Sequence, residues 1–322
     1  MMPPRPSVLV TRRLPAAVLD QLRTTCDVDL HNESDALPRD VLCARLEGKQ
    51  GLVCMFNDPI DAGMIAAGGE LQVVATVAVG YDNIDIGVAS ARGIVVTNTP
   101  ETVTGATAEL TWALILAITR RVGEGDRIVR AEAWKGWSFD FLLGTELRGK
   151  QLGIVGGGRI GRATAAVAPA FGMRAVFATR EGVRAGDAIE GWPVVSLDEL
   201  LHTSDVVSLH VPLTDATRHL INRRTLMRMK RSAYLVNASR GGVVDDEALA
   251  WALEERLIAG AGLDVYEDEP DICPDLRHRD NACLTPHLGS ATHETRTAMA
   301  ELAVRNVIAV LSGQPAITPV NG

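Results

Sequence analysis

One segment restricts the fold of this chain more than any other. The apolar run Leu152-Gly153-Ile154-Val155 leads directly into Gly156-Gly157-Gly158-Arg159-Ile160-Gly161, and an alanine-rich stretch then continues to Pro169. A strand entering a Gly-x-Gly-x-x-Gly loop that opens a helix is the phosphate-binding turn of a dinucleotide fold. Gly156 permits the tight turn, Gly158 lets backbone approach a pyrophosphate, and Gly161 lets helix and strand pack closely. The helix N-terminus offers free N–H groups and a dipole that favour an anion. Gly156, Gly158, Arg159, Ile160 and Gly161 are therefore candidate cofactor-binding residues.

Around this turn, short β-branched runs recur at 7–10, 52–55, 73–77, 94–97, 152–155, 175–178, 206–210, 234–237, 261–264 and 282–285, with helix-length stretches between most of them. Such alternation indicates an α/β protein with parallel sheets. Ten strands are too many for one comfortable open sheet, and 322 residues suffice for two domains. The division falls at Asn98-Thr99-Pro100-Glu101, which offers caps and a proline ahead of the apolar helix 106–118. Residues 100–287 would hold six strands and form the dinucleotide domain. Residues 1–99 would form a second α/β domain, to which the tail 288–322 returns through a helix near 290–306.

The second strand of such a domain usually ends in an acid that accepts from the ribose 2′-OH. Here the strand at 175–178 ends in Thr179-Arg180, with Arg184 close behind and Glu181 as the sole nearby carboxylate. A hydroxyl and a guanidinium remove repulsion of a 2′-phosphate and supply a planar cation for it. Thr179 and Arg180 thus favour NADPH, with NADH possible.

Charge and composition exclude other classes. With 32 Lys+Arg against 40 Asp+Glu the net charge is -8, so no basic field exists for nucleic acid. The run Val8-Leu9-Val10 is too short for a signal-peptide core or membrane span, and a cytoplasmic protein without membrane association is expected. Five cysteines without CxxC spacing read as reduced, mostly buried thiols, and no metal site is expected.

Three segments place polar residues just beyond strands of the dinucleotide sheet, where ligands of such sheets collect. They are Asn237-Ala238-Ser239-Arg240-Gly241-Gly242, Asp264-Val265-Tyr266-Glu267-Asp268-Glu269-Pro270 and Pro286-His287-Leu288-Gly289. Together with Val79-Gly80-Tyr81-Asp82-Asn83 and Leu209-His210-Val211-Pro212-Leu213-Thr214, they make the chain resemble, over nearly its whole length, the D-isomer-specific 2-hydroxyacid dehydrogenase family, in its glyoxylate/hydroxypyruvate reductase branch.

The resemblance implies two doubly wound parallel-sheet domains, a Rossmann dinucleotide-binding domain inserted into a flavodoxin-like substrate domain. The family's catalytic arginine falls on Arg240, its glutamate on Glu269 and its histidine on His287. The trio is chemically coherent: His287 can protonate a carbonyl oxygen, Glu269 can orient the imidazole, and Arg240 offers a fork of donors to a substrate carboxylate. The resemblance further implies that His210, Pro212, Thr217, Ala238, Asp264 and Gly289 line the cofactor, with Asp264 on the nicotinamide amide. It also implies that backbone near Val79 and Gly80 holds the substrate carboxylate, and that the domains close on it. The aromatic arm Trp134-Lys135-Gly136-Trp137-Ser138-Phe139 would cross to the neighbouring subunit of a homodimer and bring Trp137 to its substrate site, core packing being the alternative.

The expected activity is NADPH-dependent reduction of a small 2-oxo acid, glyoxylate or hydroxypyruvate, to the D-2-hydroxy acid. A 2-ketogluconate-type reductase is the nearest rival enzyme. A dinucleotide-sensing corepressor-like protein is the non-enzymatic alternative.

Overall fold

The computed structural model describes residues 5–179 and 186–321. It divides into two compact units, Met1–Val103 with Thr292–Gly322, and Thr104–Ala291.

The first unit is a five-stranded parallel sheet of β1 (Ser7–Val10), β2 (Asp27–Leu30), β3 (Gly51–Cys54), β4 (Val73–Thr76) and β5 (Val95–Thr97), in the order β2-β1-β3-β4-β5. This is the flavodoxin-like order. Strands β1, β3 and β4 are buried and read as continuous apolar runs, as strands covered on both faces must. Helix His293–Leu311, capped by Thr292, lays Ala300, Ala303, Val304 and Val307 over Val8, Val10, Val53 and Val73. The small alanines let helix and sheet approach closely.

Strand β2 was not expected. Its sequence Asp-Val-Asp-Leu is half charged, yet it pairs along the sheet edge, and Asp29 is held by Arg45 and Lys49. An edge strand tolerates charge because one side faces water. The second departure concerns Asn98 to Glu101. These residues do not cap the following helix, which begins only at Thr104. Instead the Asn98 amide donates to the Val79 carbonyl at 2.7 Å and the Thr99 N–H to Ala78 at 2.8 Å, fixing the loop after β4.

The second unit holds β6 (Gln151–Val155), β7 (Arg174–Ala178), a short antiparallel pair β8 (Ala188–Ile189) and β9 (Trp192–Pro193), then β10 (Val206–Leu209), β11 (Tyr234–Asn237), β12 (Gly260–Leu263) and β13 (Ala282–Leu284). Its six-stranded parallel sheet runs β13-β12-β11-β10-β6-β7. The sheet is doubly wound and reverses direction between β6 and β10, the crevice position at which such sheets bind ligands. A full Rossmann order has a further strand beyond β7. Among the described residues that place holds a parallel bridge between Phe177 and Val194, the residue after β9. Helices Thr104–Thr119 and Arg159–Val167 cover one face of this sheet, pinned by the Trp112 indole N–H to the Thr164 carbonyl at 2.9 Å. Among the described residues, no helix is long and apolar enough to cross a membrane, and no cluster of three potential metal ligands occurs.

Candidate active site

The glycine turn has the geometry its sequence demands. Gly156 sits at φ 110°, and a Cβ there would lie 2.3 Å from the His210 carbonyl oxygen. A Cβ at Gly161 would lie 2.2 Å from the Gly156 carbonyl oxygen, so the first helical turn rests on the loop backbone. Gly158 is the N-cap of helix Arg159–Val167, with no side-chain cap, and a Cβ there would meet nothing within 4 Å. Gly158 brings no capping side chain to the first turn, and the space above it is open. These are the properties a pyrophosphate requires, and the loop fits a dinucleotide.

Strand β7 delivers Thr179 beside this loop, where a Cβ at Gly157 would fall 3.7 Å from Thr179 Cβ. Arg180, expected to accompany Thr179, lies outside the described residues. His210 follows β10, its Nε2 within 2.9 Å of the Ser208 hydroxyl. Burial pushes the imidazole down to about 4, so it stays neutral at physiological pH. Thr217 reaches back to the Pro212 carbonyl at 2.6 Å and shapes the turn that both residues share.

At the end of β11, the buried Asn237 organises the next turn. Its amide donates to the Arg240 carbonyl at 2.9 Å, and its oxygen accepts from the N–H and hydroxyl of Ser239 at 3.0 and 2.8 Å. Arg240 emerges extended and half-buried, one guanidinium nitrogen donating to the Ser239 carbonyl at 2.9 Å. Ala238 lies between Asn237 and Ser239 in the same turn. Gly241 follows because nothing larger fits: a Cβ would fall 1.8 Å from the Tyr266 carbonyl carbon and oxygen. The arginine turn is thereby set directly against the loop that carries Glu269.

The structure brings Glu269 and His287 into contact. Glu269 Oε1 accepts from the Tyr266 N–H at 3.0 Å, and Oε2 lies 2.7 Å from His287 Nδ1. With the Nδ1 proton shared with a carboxylate, Nε2 is the nitrogen left to carry a transferable proton. His287 is held at φ 53°, a left-handed conformation that costs a non-glycine residue about 1–3 kcal/mol. What sustains it is Asp264. Its carbonyl accepts from the His287 N–H at 2.9 Å. Its buried carboxylate accepts from the Thr285 hydroxyl at 2.6 Å and the N–H groups of Leu288 and Gly289 at 2.7 and 2.8 Å. Burial raises the Asp264 carboxyl above its ordinary value, while these donors and the nearby His287 pull it back. Sequence reasoning assigned Asp264 and Gly289 to the cofactor wall and did not foresee this brace. Nor did it single out Asn237, whose signal is an amide buried at a strand end.

Val79 and Gly80 lie in the first unit, after β4, partly exposed. Among the described residues neither N–H has a hydrogen-bond acceptor. In the arm, Trp134, Trp137 and Phe139 are 56%, 82% and 85% exposed, which excludes packing of Trp137 in the core of its own chain.

Known proteins match this architecture. The family description "D-isomer specific 2-hydroxyacid dehydrogenase, NAD binding domain" fits residues 112–289. The glyoxylate reductase of Thermofilum pendens is 48% identical over 317 residues, 96% of this chain and 93% of that protein. The crystal structure of a glyoxylate reductase from Paecilomyes thermophila, 32% identical, superposes with a TM-score of 0.88 over 99% of each chain. That of an NADPH-dependent glyoxylate/hydroxypyruvate reductase from Sinorhizobium meliloti, in complex with NADP and malonate, is 33% identical with a TM-score of 0.85, covering 98% of this chain and 97% of that one. The chain belongs to the D-isomer-specific 2-hydroxyacid dehydrogenase family and is an NAD(P)-dependent dehydrogenase.

Proposed function

We propose that the enzyme reduces glyoxylate or hydroxypyruvate to the D-2-hydroxy acid with NADPH, in the cytoplasm and as a homodimer. The observation that carries the reading is the 2.7 Å contact between Glu269 and His287, held on a loop packed against the Arg240 turn. A nicotinamide dinucleotide supplies the hydride when bound. His287, its Nδ1 proton fixed on Glu269, delivers a proton from Nε2 to the carbonyl oxygen as that oxygen gains charge. Glu269 holds the imidazole in the orientation that this transfer needs. Arg240 grips the substrate carboxylate and stabilises the developing charge, which is why a 2-oxo acid rather than a neutral carbonyl compound is the substrate class. Neutral His210 serves the cofactor wall and not proton delivery.

The NADPH preference rests on Thr179 at the end of β7, where an NAD-selective site places an acid, and on Arg180 after it. The Sinorhizobium meliloti protein described as NADPH-dependent supports the same choice. The remaining assignments, Trp137 to a partner's substrate site and Arg159, Ile160, Pro212, Thr217 and Ala238 to the cofactor, belong to the same reading.

Initial rates with glyoxylate, hydroxypyruvate, pyruvate and 2-ketogluconate, each with NADPH and with NADH, test substrate and cofactor together. Highest kcat/KM is expected for glyoxylate or hydroxypyruvate with NADPH. Superior turnover of 2-ketogluconate would transfer the enzyme to the rival class, a preference for NADH would reverse the cofactor assignment, and no steady turnover at all would leave the sensing role.

A further inference from the structure

Glu267 joins three segments of the second unit. Its carboxylate lies 2.7 Å from His219 Nε2 and 3.5 Å from the Arg218 guanidinium, both in the segment after β10. Its N–H donates at 3.2 Å to Asp246 Oδ2, in the first turn of helix Asp246–Glu254 that follows the Arg240 turn. Asp246 is only 7% exposed. The helix N-cap is its neighbour Asp245, whose side chain accepts from the Ala248 N–H at 2.9 Å, so capping is already satisfied without Asp246. The carboxylate of Asp246 faces other acids: Asp245 on its own element, and Glu267 and Asp268 on the opposing loop.

A buried acid among acids is a liability for stability. Its hydrogen bond, however, falls on the loop that ends at Glu269, one residue beyond the point where Tyr266 N–H holds Glu269 Oε1 and where Gly241 touches the Tyr266 carbonyl. We propose that Asp246 is a positioning residue for the Glu269–His287 pair: by holding the Glu267 N–H it fixes the height of the loop from which Glu269 reaches His287 Nδ1. The proposal rests on the reading of Glu269 and His287 as the proton-delivering pair. Burial and the three neighbouring acids also push the Asp246 carboxyl up to about 6, consistent with a group kept in place at a cost to folding.

The test is steady-state kinetics of Asp246→Ala and Asp246→Asn with glyoxylate and NADPH, normalised to folded protein, beside NADPH titration and thermal melts. Asp246→Ala is expected to lower kcat about 10- to 100-fold, as small misplacement of a catalytic group does, with KM and NADPH affinity changed less than about twofold. Asp246→Asn keeps an oxygen able to accept from Glu267 N–H, so it should retain most of kcat. If the alanine variant fails to fold, Asp246→Ser, whose hydroxyl is too short to make the contact, carries the same expectation. Unchanged kcat per folded site in Asp246→Ala, or an equal loss in Asp246→Asn, overturns the assignment. Glu269→Gln measured in parallel separates the two levels: if it keeps full kcat the underlying reading fails, whereas if it is impaired and Asp246→Ala is not, only the role of Asp246 falls.

Discussion

Replacing Gly161 by alanine adds one methyl group at a place where two pieces of backbone already touch. The new carbon would sit 2.2 Å from the Gly156 carbonyl oxygen and 3.0 Å from the Ile154 Cγ2. Ordinary carbon–oxygen contact needs about 3.2 Å, so the turn and helix must part by roughly 1 Å. Gly156 cannot retreat, because its own left-handed backbone is set against the His210 carbonyl. The strain therefore falls on the pyrophosphate turn. Overpacking of this kind costs about 1–3 kcal/mol. If that is lost from the binding-competent loop, NADPH affinity drops about 5- to 150-fold. The contrast is Gly158→Ala, which meets no protein atom within 4 Å at a φ of −72°. It should leave thermal stability unchanged yet weaken NADPH, because its methyl group occupies the space reserved for phosphate. Fluorescence titration of NADPH and thermal melts of both variants decide the matter. Wild-type affinity in Gly158→Ala would show that the phosphates do not pass over this residue, and a wild-type melt in Gly161→Ala would refute the packing argument.

Arg240→Lys keeps the charge but loses the planar fork, so KM for glyoxylate should rise and kcat fall together, with Arg240→Ala worse on both and NADPH titration unchanged; near-normal kcat/KM in the alanine variant would remove the carboxylate anchor. His287→Gln should lower kcat about 10²–10⁴-fold with NADPH affinity intact, since a glutamine cannot deliver a proton; retention of most activity would mean another acid operates. Stability against pH gives a further check. His210, with its folded value lowered to about 4, contributes stability present above its unfolded value near 6.5 and lost as pH falls through 4. Asp246, raised to about 6, contributes in the opposite sense: stability present below its unfolded value near 3.9 and lost as pH rises through 6. The two offset each other in the wild-type protein between about pH 4 and 6. Asp246→Asn removes one of them, so its melting temperature should exceed wild type at pH 8 and fall more steeply on acidification; parallel curves for the two proteins would contradict the assignment.

Much of this could be read from the chain because it depends on local chemistry. The strand, glycine turn and helix at 151–167 follow from glycines whose missing Cβ atoms are needed, whereas strand-end position marks only the segments that hold Arg240, Glu269 and His287, and the family resemblance is what names these three within them. What escaped reading depends on tertiary partners. Strand β2 is charged and becomes a strand only because β1 offers an edge and Arg45 and Lys49 hold Asp29. Asn98 looks like a cap, but the Val79 carbonyl competes for its amide. No sequence pattern signals that His287 adopts a left-handed backbone, because the groups that enforce it come from Asp264, over twenty residues earlier in the chain.

The first unit is assembled from both ends of the chain, and this has a consequence for biosynthesis. Val8, Val10, Val53 and Val73 present an apolar sheet face whose cover, Ala300 to Val307, is translated only after the whole of Thr104–Ala291. At about 5–20 residues per second that delay is roughly 10–40 s, during which the face stays open to chaperones or to other nascent chains. The second unit, continuous in sequence, can complete its fold meanwhile. Ribosome-bound intermediates ending before His293 should therefore carry a finished nucleotide-binding unit beside an aggregation-prone sheet. The last helix to emerge is then the step that makes the newly made enzyme safe from association.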